Sequence, residues 1–266
     1  MDVKFKGIGG LVLFLAFTLV CQGQSVKPDE RGLWKVWCAG TNSAFEAAES
    51  LEACKEFTAG APKDPLVVVV SGFAAWHYLK TGNTGTAVKL FESMLVVKEP
   101  ATIIQKAGDK MARSWLTRLD REQVALALKK IYLRDIEFPA SLEALKTLKN
   151  MPLPPMTDRW GKPWAYRLAS AIDGMASHRY VLESSMLGAE SDLKKALKRP
   201  YADGLQMRAV RMVSGLTDTV ELKTDSGMTL HRQLGQEVSS GYLVYLGSNI
   251  IVLSDGNHWS VLPKPR

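Results

Sequence analysis

The sequence predicts an α+β fold in which helix-forming, mixed and strand-forming segments follow one another along the chain. Through the first half, apolar residues recur at helical spacing and Gly or Pro falls at segment ends. From residue 205 onward they fall instead into short β-branched and aromatic runs separated by Gly, Asn, Asp and Ser. Composition agrees: 46% hydrophobic and 23% charged residues over 266 positions can build packed cores, which excludes fibrous, low-complexity and wholly disordered classes. There is one long apolar run, near Met1, so a multi-span membrane protein is excluded as well.

That run reads as an export signal. Lys4 and Lys6 form a basic start, and Ile8 to Val20 is apolar apart from glycines and one Thr. This is the length of a signal h-region and short of a bilayer span. Cys21-Gln22-Gly23 places small residues before Gln24, so residues 1–23 are expected to be a signal peptide, cleaved there. Two other fates fit the same residues: retention as a short anchor, and lipidation at Cys21, before which Val20 is bulky. The expected compartment is the periplasm or cell envelope. If Cys21 leaves, Cys38 and Cys54 remain as an even pair in a disulfide-permissive compartment. They are a disulfide candidate whose bridge would contribute about 3 kcal/mol, the alternative being free thiols packed as small hydrophobes. No CxxC occurs and His77, His178, His231 and His258 lie far apart, so no zinc site is expected.

Charge points to no nucleic-acid partner. Lys plus Arg (34) against Asp plus Glu (27) gives +7, spread along the chain rather than clustered.

Residues 31–116 are expected to form a helical module. Ser43-x-x-Glu46 is a capping box opening a run with Phe45, Ala48, Leu51 and Phe57, which Gly60 can close. Asp64-Pro65 starts a second helix, Leu66 to Tyr78, although Val67 to Val70 alone would suit a buried strand. Gly82-Asn83-Thr84 is a turn before a third helix, Ala87 to Val97. Ala44-Phe45 with Glu49-Ser50-Leu51 returns as Ala87-Val88 with Glu92-Ser93-Met94, a single echo that is only loosely similar to tetratricopeptide-like hairpins.

Residues 117–200 mix the two textures. Arg121 to Arg134 is a helix with Val124, Leu128 and Ile131 on one face and Asp120 as N-cap. Phe138-Pro139-Ala140-Ser141-Leu142 opens a short helix through Leu148, and a proline-rich connector follows from Asn150 to Pro155. Asp158-Arg159-Trp160-Gly161-Lys162-Pro163-Trp164-Ala165-Tyr166 is a tight turn running into a strand. Arg179 to Glu183 is a second strand, and Gly188 to Asp192 is a polar loop. This succession, over roughly Leu119 to Asp192, resembles the globular part of the type II secretion major pseudopilin. The resemblance implies a small sheet packed on a helix, with Asp158, Trp160, Gly161, Pro163, Trp164 and Tyr166 as fold-forming residues. It also implies calcium in the last acidic loop, where Glu190 and Asp192 are the nearby carboxylates, fewer than the about 6–8 oxygens calcium takes; on residues alone no cofactor is expected. The family's prepilin-peptidase pattern is not reproduced, since Ala16 precedes Phe17-Thr18-Leu19 and Gln22 stands where Glu is expected. Assembly through an N-terminal helix is therefore not implied.

Residues 204–264 are expected to form a small antiparallel module. Leu205 to Val213 and Thr219 to Leu222 are strands, Asp225-Ser226-Gly227 a turn, and Gly241 to Leu246, Asn249 to Leu253 and His258 to Leu262 three further strands. Leu234-Gly235-Gln236-Glu237-Val238 before Gly241-Tyr242, then Ile250 to Gly256 and Trp259-x-Val261-Leu262-Pro263, is similar to the periplasmic homology region of the type II secretion inner-membrane clamp protein. That region is shared distantly with type IV pilus alignment proteins, and the resemblance implies docking on a secretin.

Catalytic constellations are scarce. Ser71-Gly72 after Val67 to Val70 lacks the Gly-x-Ser-x-Gly elbow, Val69 standing at the first Gly. His77 has no acid placed near it, and Asp120, Glu122, Asp135 and Glu137 are ordinary helix-surface charges. The expectation is a non-enzymatic exported component of a type II secretion or type IV pilus-like machine, with a secretin or pseudopilins as partners. It would meet a membrane only through an uncleaved signal or a lipid. The alternative is an exported protein that binds peptide or glycan through aromatics such as Trp34, Trp37 or Trp259.

Overall fold

The computed structural model describes residues 27–264 apart from 42–46, 97–100, 150, 170–178, 199–200, 202–209, 216–217, 225 and 240. The expected signal peptide, the Ser43–Glu46 capping box and the Ala44-Phe45 half of the echo lie outside the described residues. The fold is α+β, with helices through the first half and antiparallel sheets through the second.

Helices α1 (Glu30–Thr41), α2 (Ala47–Gly60), α3 (Val67–Lys80) and α4 (Thr84–Ser93) pack in sequence order. The Val67–Val70 run is helical and heads α3. That helix starts later than the Asp64-Pro65 expectation, with Leu66 at the N-cap and no side-chain cap bond; Asp64 closes the turn just ahead of it, its Oδ1 accepting the Leu66 N–H at 2.7 Å and its Oδ2 the Asp29 N–H at 2.6 Å. α4 begins earlier than the Ala87–Val97 expectation because the Asn83 side chain accepts from Thr86 N and caps it at residue 84, and it ends at Ser93. The turn before it uses Gly82 at φ = +81°, a conformation glycine adopts freely.

α5 (Ile103–Asp135) is one uninterrupted helix of 33 residues, about 50 Å long. This corrects the expected start at Arg121. The helix begins at a capping box between Thr102 and Gln105, and Asp120 caps nothing: it lies mid-helix, buried and paired with Arg159. The expected module boundary at 116/117 falls inside this helix. Leu142–Thr147 is a 3-10 turn, and the Ser141 side chain makes no cap bond there. β1 (Ala165–Leu168) and β2 (Tyr180–Glu183) form a two-stranded antiparallel sheet. A 3-10 turn at Ala189–Ser191 leads into the short α6 (Leu193–Lys198).

The last part carries two sheets. One orders β3 (Val210–Gly215), β4 (Thr219–Thr224) and β5 (Thr229–Gln233); the other orders β6 (Glu237–Val238), β7 (Gly241–Leu246), β8 (Ile250–Ser254) and β9 (Trp259–Pro263). β8 is buried along its whole length, as suits a central strand covered on both faces.

Buried residues form two cores. The first joins α1 to α4 and the N-terminal half of α5 to the strands, through Phe91, Met111, Trp115, Leu222, Val252 and Trp259. The second is smaller and lies on the C-terminal half of α5, where Val124, Leu128 and Ile131 meet Leu145, Trp164 and Leu182.

Candidate functional site

Residues Asp158 to Tyr166 fold around one carboxylate. Asp158 is 3% exposed. Its Oδ1 accepts the N–H groups of Trp160 (3.0 Å) and Lys162 (2.9 Å), and its Oδ2 accepts from Ser184 Oγ at 2.7 Å. Asp158 N donates to Lys162 O at 2.8 Å and Gly161 N to Asp158 O at 2.9 Å, closing a turn in which Gly161 has φ = +75°. Thr157 and Pro163 pair as an antiparallel bridge. Trp160 stays half-buried and Pro163 exposed. Trp164 enters the second core and donates Nε1 to Pro155 O at 2.8 Å; Tyr166 donates its hydroxyl to Pro139 O at 2.6 Å. Burial, with Tyr180 beside it, pushes the Tyr166 phenol up to about 12. The loop before α6 is stitched to the same carboxylate, since the Ser184 N–H donates to Ser191 Oγ at 2.9 Å.

α5 holds this turn with polar side chains. Arg159 lays its guanidinium on Asp120, Nε to Oδ2 at 2.5 Å and Nη2 to Oδ1 at 3.0 Å, a bidentate pair. The hydrogen bond to Asp120 raises the Arg159 pKa against the opposing effect of burial. Arg159 N donates to Thr117 Oγ1 at 3.1 Å, and Arg113 Nη1 donates to Arg159 O at 2.5 Å. In the sequence Thr117 and Arg159 carry no assigned role and Asp120 reads as an N-cap and a surface charge, whereas it is buried against Arg159; the available signal was a charged residue directly inside the turn motif.

A second joint lies on another face of the same turns of α5. Trp115 Nε1 donates to Asn257 O at 2.8 Å. Arg118, 2% exposed, donates Nε to Glu190 O and Nη2 to Asn257 Oδ1, both at 2.9 Å, and stacks on the Trp115 ring. Burial pulls its guanidinium down to about 10, against the Glu190 and Asp255 charges. Asp255 Oδ1 accepts the N–H groups of Asn257 and His258, each at 2.7 Å. Beside this turn Tyr201 is enclosed by Trp37, Phe73, Trp76 and His258, and its hydroxyl accepts the Trp259 N–H at 2.6 Å.

An open cleft of about 1070 Å³ separates the start of α1 from the β7–β8 hairpin, lined by Lys27, Asp29, Glu30, Arg31, Tyr245 and Asn249 among others. Glu30 anchors it: its carboxylate accepts from Tyr245 Oη (3.0 Å), Ser248 N (2.8 Å), Asn249 N (2.7 Å) and Asn249 Nδ2 (3.0 Å).

The other candidate residues are scattered. Trp259 is a correction: it is fully buried, its ring directed at Gly72, where an added Cβ would come within 2.6 Å of the indole nitrogen. Trp34 and Trp37 are half-buried against the first core. Cys38 and Cys54 are free thiols, not a bridge, because Cys38 faces outward from α1 while Cys54 turns into the core. Burial raises both thiols, that of Cys54 to about 12. Ser71 and His77 are both buried on α3. Burial, and secondarily Lys80, pulls the His77 imidazole down to about 4. Asp192 spends Oδ1 on the Lys195 N–H at 3.0 Å, and Glu190 contributes its carbonyl to Arg118. Among the described residues no three of His, Cys, Asp and Glu come together as metal ligands.

Comparison with protein-family models, with curated proteins and with solved structures finds no match to this chain. What the geometry offers is two turns clamped to α5 and, away from that helix, an open cleft between the start of α1 and the β7–β8 hairpin.

Proposed function

We propose that this chain is a non-enzymatic exported component of a type II secretion or type IV pilus-like envelope machine, acting by protein–protein assembly. One observation carries the reading: the Asp158–Tyr166 turn and the β1–β2 sheet packed on the C-terminal half of a long helix. That is the arrangement the pseudopilin resemblance implies. The candidate polar residues are consistent with this role, since Asp158, Asp120 and Arg159 are spent on one another and on backbone groups. Crosslinking mass spectrometry in the native envelope tests it. Links to a secretin or to pseudopilins are the expected result; a free monomer with neither overturns it.

The cleft between α1 and the β7–β8 hairpin favours a second reading, an exported binding protein for peptide or glycan. Its wall offers Tyr245 beside charges of both signs. Titration with peptide and oligosaccharide panels tests it, with Tyr245→Ala expected to abolish any binding found.

A further inference from the structure

Beyond Asp120, α5 buries one apolar face and exposes two leucines among charged residues on the opposite one. The inner one places Val124, Leu128 and Ile131 in the second core. The outer one carries Leu126 and Leu133, 52% and 66% exposed, seven residues apart and so on one stripe. A single exposed leucine needs no explanation. A second apolar stripe on a helix whose first is already buried does, because a surface helix normally turns polar residues outward.

Ile136 is an independent observation. It ends the helix at φ = +64° and is 63% exposed. A β-branched residue in the left-handed region is an outlier, at a position where Gly or Asn closes a helix without strain. With so much of it in solvent, little packing within the chain repays that conformation. Outliers of this kind gather at functional surfaces.

The flanks say what covers the stripe. Lys129 and Lys130 fall on opposite sides of the Leu126–Leu133 line, both exposed, and neither has an ion-pair partner among the described residues. Their neighbours do: Arg121 pairs with Glu122, and Arg134 with Asp135. We propose that this stripe docks an amphipathic helix of another protein, apolar along its contact edge and carrying Asp or Glu on both flanks. Self-pairing would set lysines against lysines. Two lysines are also fewer than the roughly 4–8 basic residues of a lipid-binding segment. Three side chains cover little area, so the contact is of the transient class or one part of a larger interface. The inference does not rest on the secretion reading.

The test places the photo-crosslinker p-benzoylphenylalanine at position 126 or 133 of the full chain in its native envelope, with position 162 as control. Adducts at 126 and 133, absent at 162, are expected to carry a single protein segment with apolar residues at helical spacing and acidic flanks. The joint variant Lys129→Glu with Lys130→Glu should lower the yield at least fivefold, while arginine at both positions preserves it. Ile136→Gly should hold or raise the melting temperature and still lower the yield at least twofold, which separates docking from folding. Lipid adducts, adducts to a second copy, no adduct, or a yield indifferent to charge reversal would each overturn the proposal. A captured helix from outside any secretion machine keeps this inference and sinks the secretion reading; secretin links elsewhere on the surface with no adduct here do the reverse.

Discussion

Replacing Asp158 tests how the turn is held. Its carboxylate is the shared acceptor of two backbone N–H groups and the Ser184 hydroxyl, at 2.7–3.0 Å. Hydrogen bonds to a charged group contribute about 1.5–3 kcal/mol each, but three on one side chain are not additive. Asp158→Ala should therefore cost about 3–5 kcal/mol, with two N–H groups left without their acceptor. Asp158→Asn should cost only about 1–2 kcal/mol. Its Oδ1 still accepts both N–H groups, and its amide can donate to the second lone pair of Ser184 Oγ, which already accepts from Met186 N at 3.1 Å, while the Ser184 hydroxyl proton loses its carboxylate acceptor. Chains of this size lose about 2–4 °C of melting temperature per kcal/mol, so the alanine variant should melt roughly 10 °C lower. Urea titration followed by tryptophan fluorescence reads the change near Trp160 and Trp164, and circular dichroism follows the melt. A loss under about 1 kcal/mol for alanine, or equal losses for alanine and asparagine, would refute the view that acceptor geometry at this carboxylate builds the turn.

Asp120→Ala should cost about 2–3 kcal/mol in urea denaturation: it strands the Arg159 guanidinium, whose one-third exposure lets water recover part of the loss. Arg159→Lys should not substitute for the bidentate arginine, and full stability in that variant would count against the pair. His77 titrates at about 4 in the folded chain and near 6.5 when unfolded, so the unfolded state binds more protons between those values. Stability is then complete above about pH 6.5 and falls as pH drops toward 4, by on the order of 3 kcal/mol at about 1.4 kcal/mol per unit. His77→Phe should flatten that window in pH-dependent denaturation, and an unchanged slope would refute the assignment. In a Cys21→Ser chain, intact-mass analysis after brief native alkylation should show one modified thiol, Cys38, with Cys54 reacting only on unfolding; no reactive thiol before reduction would indicate a bridge.

Much of the fold was legible because short-range chemistry decided it. Asp64 before α3, Gly82-Asn83 before α4 and Ser254 to His258 between β8 and β9 are local devices, and they stand where the residue types put them. The start of α5 was not legible for a physical reason. An Asp before a periodic run looks the same whether it caps a helix or neutralises a distant arginine, and here Arg159, 39 residues on, took the carboxylate. β5 escaped notice because its burial alternates only between exposed and half-buried residues, with no fully apolar face. Trp259 read as a surface aromatic because a tryptophan at a strand start carries no mark of what lies opposite it. Gly72, on a helix far away in sequence, leaves the space it fills.

The orientation of the two cores follows from what fills the joint between them. Apolar contact is non-directional; a seam of leucines alone would let the second core rock on the first. Here the β8–β9 turn, the loop before α6 and the Asp158–Tyr166 turn are tied to α5 by Trp115 to Asn257, Arg118 to Asn257 and Glu190, and Arg113 and Thr117 to Arg159. Hydrogen bonds fix angle as well as distance, and Arg118 is buried at high desolvation cost to make two of them. One Arg118 nitrogen, Nη1, has no hydrogen-bond partner among the described residues, so the side chain is not fully satisfied by the two bonds it makes. Those two bonds set the angle at which α5 meets the loop before α6 and the β8–β9 turn. Because α5 runs unbroken from this joint to Asp135, the exposed Leu126 and Leu133 are held at a set angle to the first core rather than swinging on a linker.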